Sequence, residues 1–318
     1  MSSTAPPATL PTVAEADADE GHAYGLWRDT LRNILRQRSA RLGLLLIGFF
    51  VVVAFLAPVL ATFDPDKGML DLGEIGAVKR APPCIHLLGC PADVPQHLLG
   101  LDGNFRDVFS RIVYGARVSL FIGVVTVGVA ILIGTLIGLV AGYTSGRTDN
   151  VLMRLMDILL GFPSLILAIA IVTVLGRSLV NAQLAIAIVA IPLYARVMRS
   201  TVLSVREQDF VVATRALGES PSGILFRRIL PNSLTPIVVA GTLGVAGAIL
   251  DVAALSFLGV GAQPPLAEWG SMIGLERNQL FSAPHLVLAP GIAIVITVLG
   301  FNLLGDGIRD ALDPRLNR

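Results

Sequence analysis

The chain has 318 residues, of which 54% are hydrophobic and 15% charged, with a net charge of +1 at neutral pH. A soluble globular chain carries about 25% charged residues, so the mean hydropathy of +0.74 and the long apolar blocks behind it place the chain among membrane proteins. The near-zero charge balance points to neither nucleic acid nor an acidic partner.

Residues 1–23 hold Pro, Ser, Thr, Ala and acids with almost no large apolar side chain. Such a segment cannot bury enough surface to offset its ordering entropy and is expected to be disordered, within an N-terminal tail reaching residue 41. It is no secretory signal, because the acids come first and no short apolar region follows. A transmembrane helix needs about 20 mostly apolar residues, and the uncharged run 42–63 is the first candidate. The loop 64–117 follows, and within it residues 104–115 are expected to lie as a helix on the outer interface, with Phe105, Val108, Phe109 and Ile112 facing lipid. The chain's two cysteines, Cys84 and Cys90, fall in this loop. The outside of a cell membrane permits disulfides, and a bond between them is expected, worth at most about 2 kcal/mol by loop entropy.

The second span is 118–143, uncharged and rich in Gly and β-branched residues. The third is 151–175 with Arg154 and Asp157 in its first turns, the fourth 182–197, the fifth 236–260 with Asp251 inside it, and the last 286–304. The reading is therefore all-α with six spans, a core over 118–308 and a short tail over 309–318. Basic residues set the orientation. Arg28, Arg32, Arg36, Arg38 and Arg41 precede span one; Arg199, Arg206, Arg215, Arg227 and Arg228 follow span four; Arg309, Arg315 and Arg318 close the chain. The opposite short loops hold little beyond Arg177 and Arg277, so both termini are expected in the cytoplasm. The loop 64–117 runs against this trend with six Lys and Arg residues, as long loops obey the rule weakly.

The segment between spans four and five is the most informative. Phe210, Val211, Ala213 or Thr214, and Leu217 form a helical stripe, and Gly218 is placed to end that helix in a left-handed cap. Ser220 reads as an N-cap with Pro221 at the first helical position. A second short helix is expected over 221–230, ending before Pro231. Read from these residues alone, the pair over 207–230 is either an interfacial hairpin without a partner or a docking element.

Ala213, Gly218 and the run Ile229-Leu-Pro-Asn-Ser-Leu-Thr-Pro236 resemble the cytoplasmic loop of binding-protein-dependent ABC permeases. The resemblance extends to Met153-Arg-Leu-Met-Asp157, Phe162-Pro-Ser-Leu165, Tyr194-Ala-Arg-Val-Met-Arg199, Ala254-Leu-Ser-Phe-Leu-Gly259, Gln263-Pro-Pro and Trp269-Gly. The C-terminal Phe301-Asn-Leu-Leu-Gly-Asp-Gly-Ile-Arg-Asp310 and Leu312-Asp-Pro-Arg315 are similar to the second permease subunit of oligopeptide and dipeptide systems. The match covers residue 104 to the end and the single span before it.

The resemblance implies the type I importer (MetI-like) permease fold in a bacterial or archaeal plasma (inner) membrane, worked by alternating access. It implies a homologous second permease subunit, two ABC ATPase subunits and an extracytoplasmic substrate-binding protein as partners, besides membrane lipid. ATPase coupling would fall to Phe210, Ala213, Thr214, Leu217, Gly218, Ile229, Leu230, Pro231 and Pro236. Peptide is the family's commonest cargo; nickel, glutathione and glycosides also occur. Two departures stand out: Val212 and Thr214 replace the Glu and second Ala of the family's Glu-Ala-Ala triplet, and Asp251 sits one position before the place, here Val252, where span five usually carries an acid. One residue turns a helix position by about 100°.

No catalytic constellation and no bound cofactor are expected. A phosphate-binding loop needs Gly-Lys followed by Ser or Thr, whereas Lys67 follows Asp66 and Lys79 follows Val78, so ATP and Mg belong to partner subunits. His22, His86, His97 and His285 are scattered and are expected at the surface rather than around a metal. Asp251, Asp157 and Arg154 are candidates for a pathway or for intramembrane pairing. A secondary transporter would carry ion-coupling acids and broken helices in paired halves, and an intramembrane hydrolase would need a nucleophile and base at matching depth; Asp251 is the one acid deep in a span.

Overall fold

The computed structural model describes residues 32–312 apart from 75, 92 and 93. The expected disordered tail, with Arg28, and the C-terminal Arg315 and Arg318 lie outside the described residues. Ten helices are labelled α1 to α10 here. They are α1 (Arg38–Phe55), α2 (Ala57–Leu60), α3 (Val108–Thr144), α4 (Gly146–Leu160), α5 (Ser164–Leu175), α6 (Leu179–Val205), α7 (Asp209–Ala216), α8 (Pro221–Phe257), α9 (Trp269–Glu276) and α10 (His285–Leu312). Five of them (α1, α3, α6, α8 and α10) are long and apolar enough to cross a membrane, and the bent pair α4–α5 makes up to six spans. At about 1.5 Å per residue a 37-residue helix runs roughly 55 Å against a hydrocarbon core of about 30 Å. Both α3 and α8 have that length, so each projects beyond the bilayer.

Three expectations are corrected. Residues 104–115 are not an interfacial helix. Phe105 sits in a tight loop at φ +61°, and Asp107 caps α3 by accepting from the Ser110 amide at 2.7 Å, so residues 108–115 are the first turns of a long span. Val108 is buried, and Phe109 and Ile112 are half-buried. Arg111 is held inside by the carbonyls of Pro65 (2.6 Å) and Pro265 (3.1 Å). The third span is not straight: α4 and α5 meet at 91°, where Pro163 removes an amide donor and biases Phe162 away from helix. The helix after Ser220 does not stop before Pro231. It widens into i→i+5 bonding over Ile224–Ile229, which absorbs the missing Pro231 amide, and continues to Phe257.

Small residues set the helix seams. Gly134, Gly138 and Gly142 of α3 face Tyr194, Ala195, Met198 and Val202 of α6, and a Cβ on Gly134 or Gly142 would come within 2.7–2.8 Å of side-chain atoms there. Such four-residue spacing lets backbones approach where lipid supplies no hydrophobic drive. Gly43 and Gly307 do the same between α1 and α10, against Gly300 and Ala40. The larger core surrounds Trp269, which stacks edge-on with Phe50 at 5.4 Å and donates to the Ile112 carbonyl at 3.0 Å. A second core of Leu139, Met198, Val202, Val205, Val211, Ile224, Leu225, Ile229 and Ile237 lies at the opposite end of the bundle, under the α7–α8 hairpin.

Candidate docking site

The hairpin starts where α6 stops. Arg206 follows Val205 and donates to the Gly142 carbonyl at 2.8 Å and to Ser145, tying the end of α6 to the end of α3. Asp209 opens α7, a favourable sign beside a helix N-terminus. Val211 turns inward and is fully buried, while Phe210, Val212 and Leu217 turn outward, Leu217 with 87% of its surface exposed. Ala213 is exposed and Thr214 half-buried, its hydroxyl bonded to the Phe210 carbonyl.

Gly218 at φ +80° reverses the chain. A side chain at that angle is disfavoured, which is why glycine stands there. Ser220 then caps α8 by accepting from the Gly223 amide at 3.2 Å, with Pro221 in the first turn. Glu219 and Arg228 close the hairpin with an ion pair at 3.2 Å. Ile224, Leu225 and Ile229 bury the inner side. The outer side shows Phe210, Val212, Leu217 and Phe226 among the exposed cations Arg215, Arg227 and Arg228. This surface is preformed, because the inner side fixes it to two spans at once.

Phe210, Ala213, Thr214, Leu217 and Gly218 thus come together on one element. Ile229 belongs to the core beneath and does not reach the surface. Leu230 is half-buried, and Pro231 and Pro236 are exposed on the stem of α8. Pro236 borders an apolar cleft of about 460 Å³ beside Val197, Leu243 and Arg309.

Asp157 is exposed and paired with Arg196 at 2.5 Å, and Arg154 is exposed on the same helix. Asp251 is half-buried and makes no hydrogen bond or ion pair among the described residues.

The sequence reading missed a polar network at the other end. The expected Cys84–Cys90 disulfide is present there, with Cα atoms 5.4 Å apart, and Cys84 pairs through its backbone with His97, which belongs to the unread network. His97, expected at the surface, is only 3% exposed. Its ring bridges Asp107 at 3.1 Å and Glu74 at 3.2 Å. Burial pulls its pKa down, but the bonds to Asp107 and Glu74 outweigh this and leave it raised. Arg80 and the Gly103 amide both reach Glu276 of α9, at 2.9 and 2.7 Å. The Asp-x-x-Ser spacing of Asp107 and Ser110 was the available signal for this end. Asp149 and Arg199, joined bidentately at 2.5 and 2.6 Å, were likewise unread.

A bundle with five candidate spans, or up to six with the bent pair, together with glycine seams and a projecting hairpin anchored to two of those spans, defines a multi-pass membrane protein with a preformed surface at one end. Residues 134–318 match the model of the binding-protein-dependent transport system inner membrane component, and residues 25–83 match the N-terminal TM domain of oligopeptide transport permease C. The chain is 45% identical over 298 residues to the dipeptide transport system permease protein DppC of Alkalihalophilus pseudofirmus, covering 94% of this chain and 93% of that one. It is 39% identical to the glutathione transport system permease protein GsiD of Pectobacterium atrosepticum, covering 97% and 96%. Its fold resembles a chain of the inward-facing MetNI methionine ABC transporter, with TM-score 0.54 and 21% identity over 64% of this chain and 96% of that one. The chain belongs to the binding-protein-dependent transport permease family of the inner membrane, whose members work with ATPase and substrate-binding partners.

Proposed function

We propose that the chain is one of two homologous permease subunits of an importer that passes di- and oligopeptides from an extracytoplasmic binding protein into the cytoplasm, powered by two partner ATPases. The observation that carries this reading is the α7–Gly218–α8 hairpin, apolar and basic outside and fused to α3 and α6 inside. Such an element hands a partner's movement directly to the spans. The chain itself offers no Gly-Lys-Ser/Thr phosphate loop, which supports ATP and Mg use by the partners. The arginine distribution supports a cytoplasmic hairpin and cytoplasmic termini, with the Cys84–Cys90 loop outside. Relatives named for dipeptide and for glutathione transport support short peptidic cargo over nickel or glycosides. Co-expression of the four membrane and ATPase subunits, reconstitution, and uptake of a radiolabelled dipeptide with the binding protein test the reading. ATP-dependent uptake is expected; uptake by this chain alone, driven by an ion gradient, would overturn it in favour of a secondary transporter.

A further inference from the structure

We propose that Asp251 is a charge-recognition group on the translocation path, where its carboxylate engages the ammonium group of a short peptide in transit; this rests on the peptide reading above. The argument begins with the faces of α8. Val252, Ala253, Leu255 and Ser256 are buried against the rest of the chain, whereas Gly247, Leu250 and Leu258 are exposed and Asp251 and Ala254 half-exposed. At about 100° per residue, positions 247, 251, 254 and 258 share one face, and a Cβ on Gly247 would meet nothing within 4 Å. This is the face that the chain leaves open.

Two observations make that face a path and not a lipid surface. The first is the carboxylate itself. A charged side chain within a span costs up to about 2.5–3.5 kcal/mol on insertion scales, most at the helix centre, and almost always faces a partner or a water-filled cavity. The chain pairs Asp157 with Arg196 and Asp149 with Arg199, yet among the described residues it gives Asp251 no partner. The second is what lies above. Leu258, two turns further along the same face, borders a recess of about 260 Å³ into which Ser256, Gln263, Ser271, Arg277 and Asn278 bring polar groups. Through Leu258 the end of this face thus adjoins a recess with polar lining, which favours access from water at that end. The sign of the charge then selects the ligand. A carboxylate in a confined, partly dehydrated site binds an ammonium by a charge-assisted hydrogen bond, and every peptide with a free N-terminus supplies one. The shift of the acid from position 252 to 251 becomes functional on this reading: it moves the carboxylate from the buried face to the open one.

The test uses the complete importer in proteoliposomes with its binding protein. Cys84 and Cys90 are joined, so Asp251→Cys, with partners freed of reactive thiols, offers one thiol. Labelling by a cationic water-soluble thiosulfonate is expected, with protection by dipeptide-loaded binding protein during turnover. Asp251→Asn is expected to lower uptake of a free dipeptide about tenfold, the scale of one lost charged contact, and Asp251→Glu to recover most of it. Inertness of the thiol in every nucleotide state would overturn the proposal. So would rescue of Asp251→Lys by an acid introduced in the second permease, which would make Asp251 a subunit-pairing residue. If the wild-type importer carries no peptide, the cargo reading fails; if it does and Asp251→Asn matches it, this inference alone fails.

Discussion

Gly218 holds a conformation that decides how α7 and α8 present their outer side. Its φ of +80° is the constraint, since a Cβ there would meet no atom within 4 Å. Replacing it costs roughly 1 kcal/mol of backbone strain, too little to unfold a subunit held by two cores. Gly218→Arg is therefore expected to leave the chain inserted and the importer assembled, while a bulky charge beside exposed Leu217 abolishes stimulation of ATP hydrolysis by the loaded binding protein. Full stimulation in the variant would show that coupling bypasses the hairpin. His97 yields a pH dependence. Its folded pKa is raised by Asp107 and Glu74, so its contribution is fully present below the unfolded value of about 6.5 and is lost as pH rises through the folded value. With the base-catalysed rise of intrinsic exchange divided out, amides in the loop around His97 are expected to be better protected at about pH 6 than at about pH 8, a difference in protection that His97→Gln removes. Gly218, Ser220 and Pro221 were legible in the sequence because capping is local. His97 was not, because its partners lie 10 and 23 residues away and only the folded loop brings them together.

The α3–α6 seam is the clearest case among the elements. Gly138 lies against the backbone of Ala195 and Arg199, leaving no flexible atom to yield to a side chain. Gly138→Leu is expected to cost more than the 1–3 kcal/mol typical of overpacked cores, seen as loss of folded subunit after detergent extraction. Gly128→Leu, on the same helix with nothing within 4 Å, is expected to extract normally; equal yields from the two variants would refute the seam. Apolar block length made five of the spans legible without any fold knowledge, and the sixth block is the bent α4–α5 pair. Proline was the residue type that misled. Pro163 breaks a span that reads as continuous, and Pro231 is absorbed in a helix that reads as ended. The difference is tertiary: buried Ile229 and Ser233 pin the chain on both sides of Pro231, whereas Gly161 and Phe162 beside Pro163 stay exposed and let the chain turn.

For the molecule as a whole, the disulfide and the hairpin mark opposite ends. The Cys84–Cys90 bond closes a small loop and is worth at most about 2 kcal/mol, so Cys84→Ser with Cys90→Ser is expected to leave the spans folded and loosen only the loop around His97. In the wild-type chain neither cysteine is expected to react with an impermeant maleimide before reduction, and labelling of both without reductant would contradict the bond. The 37-residue α3 joins these two ends in one unbroken rod, seated on the His97–Asp107 contact at its start and gripped by Arg206 through the Gly142 carbonyl at its finish. A rod of that length acts as a lever: a tilt of about 5° displaces its far tip by about 5 Å, close to one helical turn. A tilt about one of these two seats is therefore expected to reach the opposite end of α3 as a step of about that size, with no helix having to melt on the way.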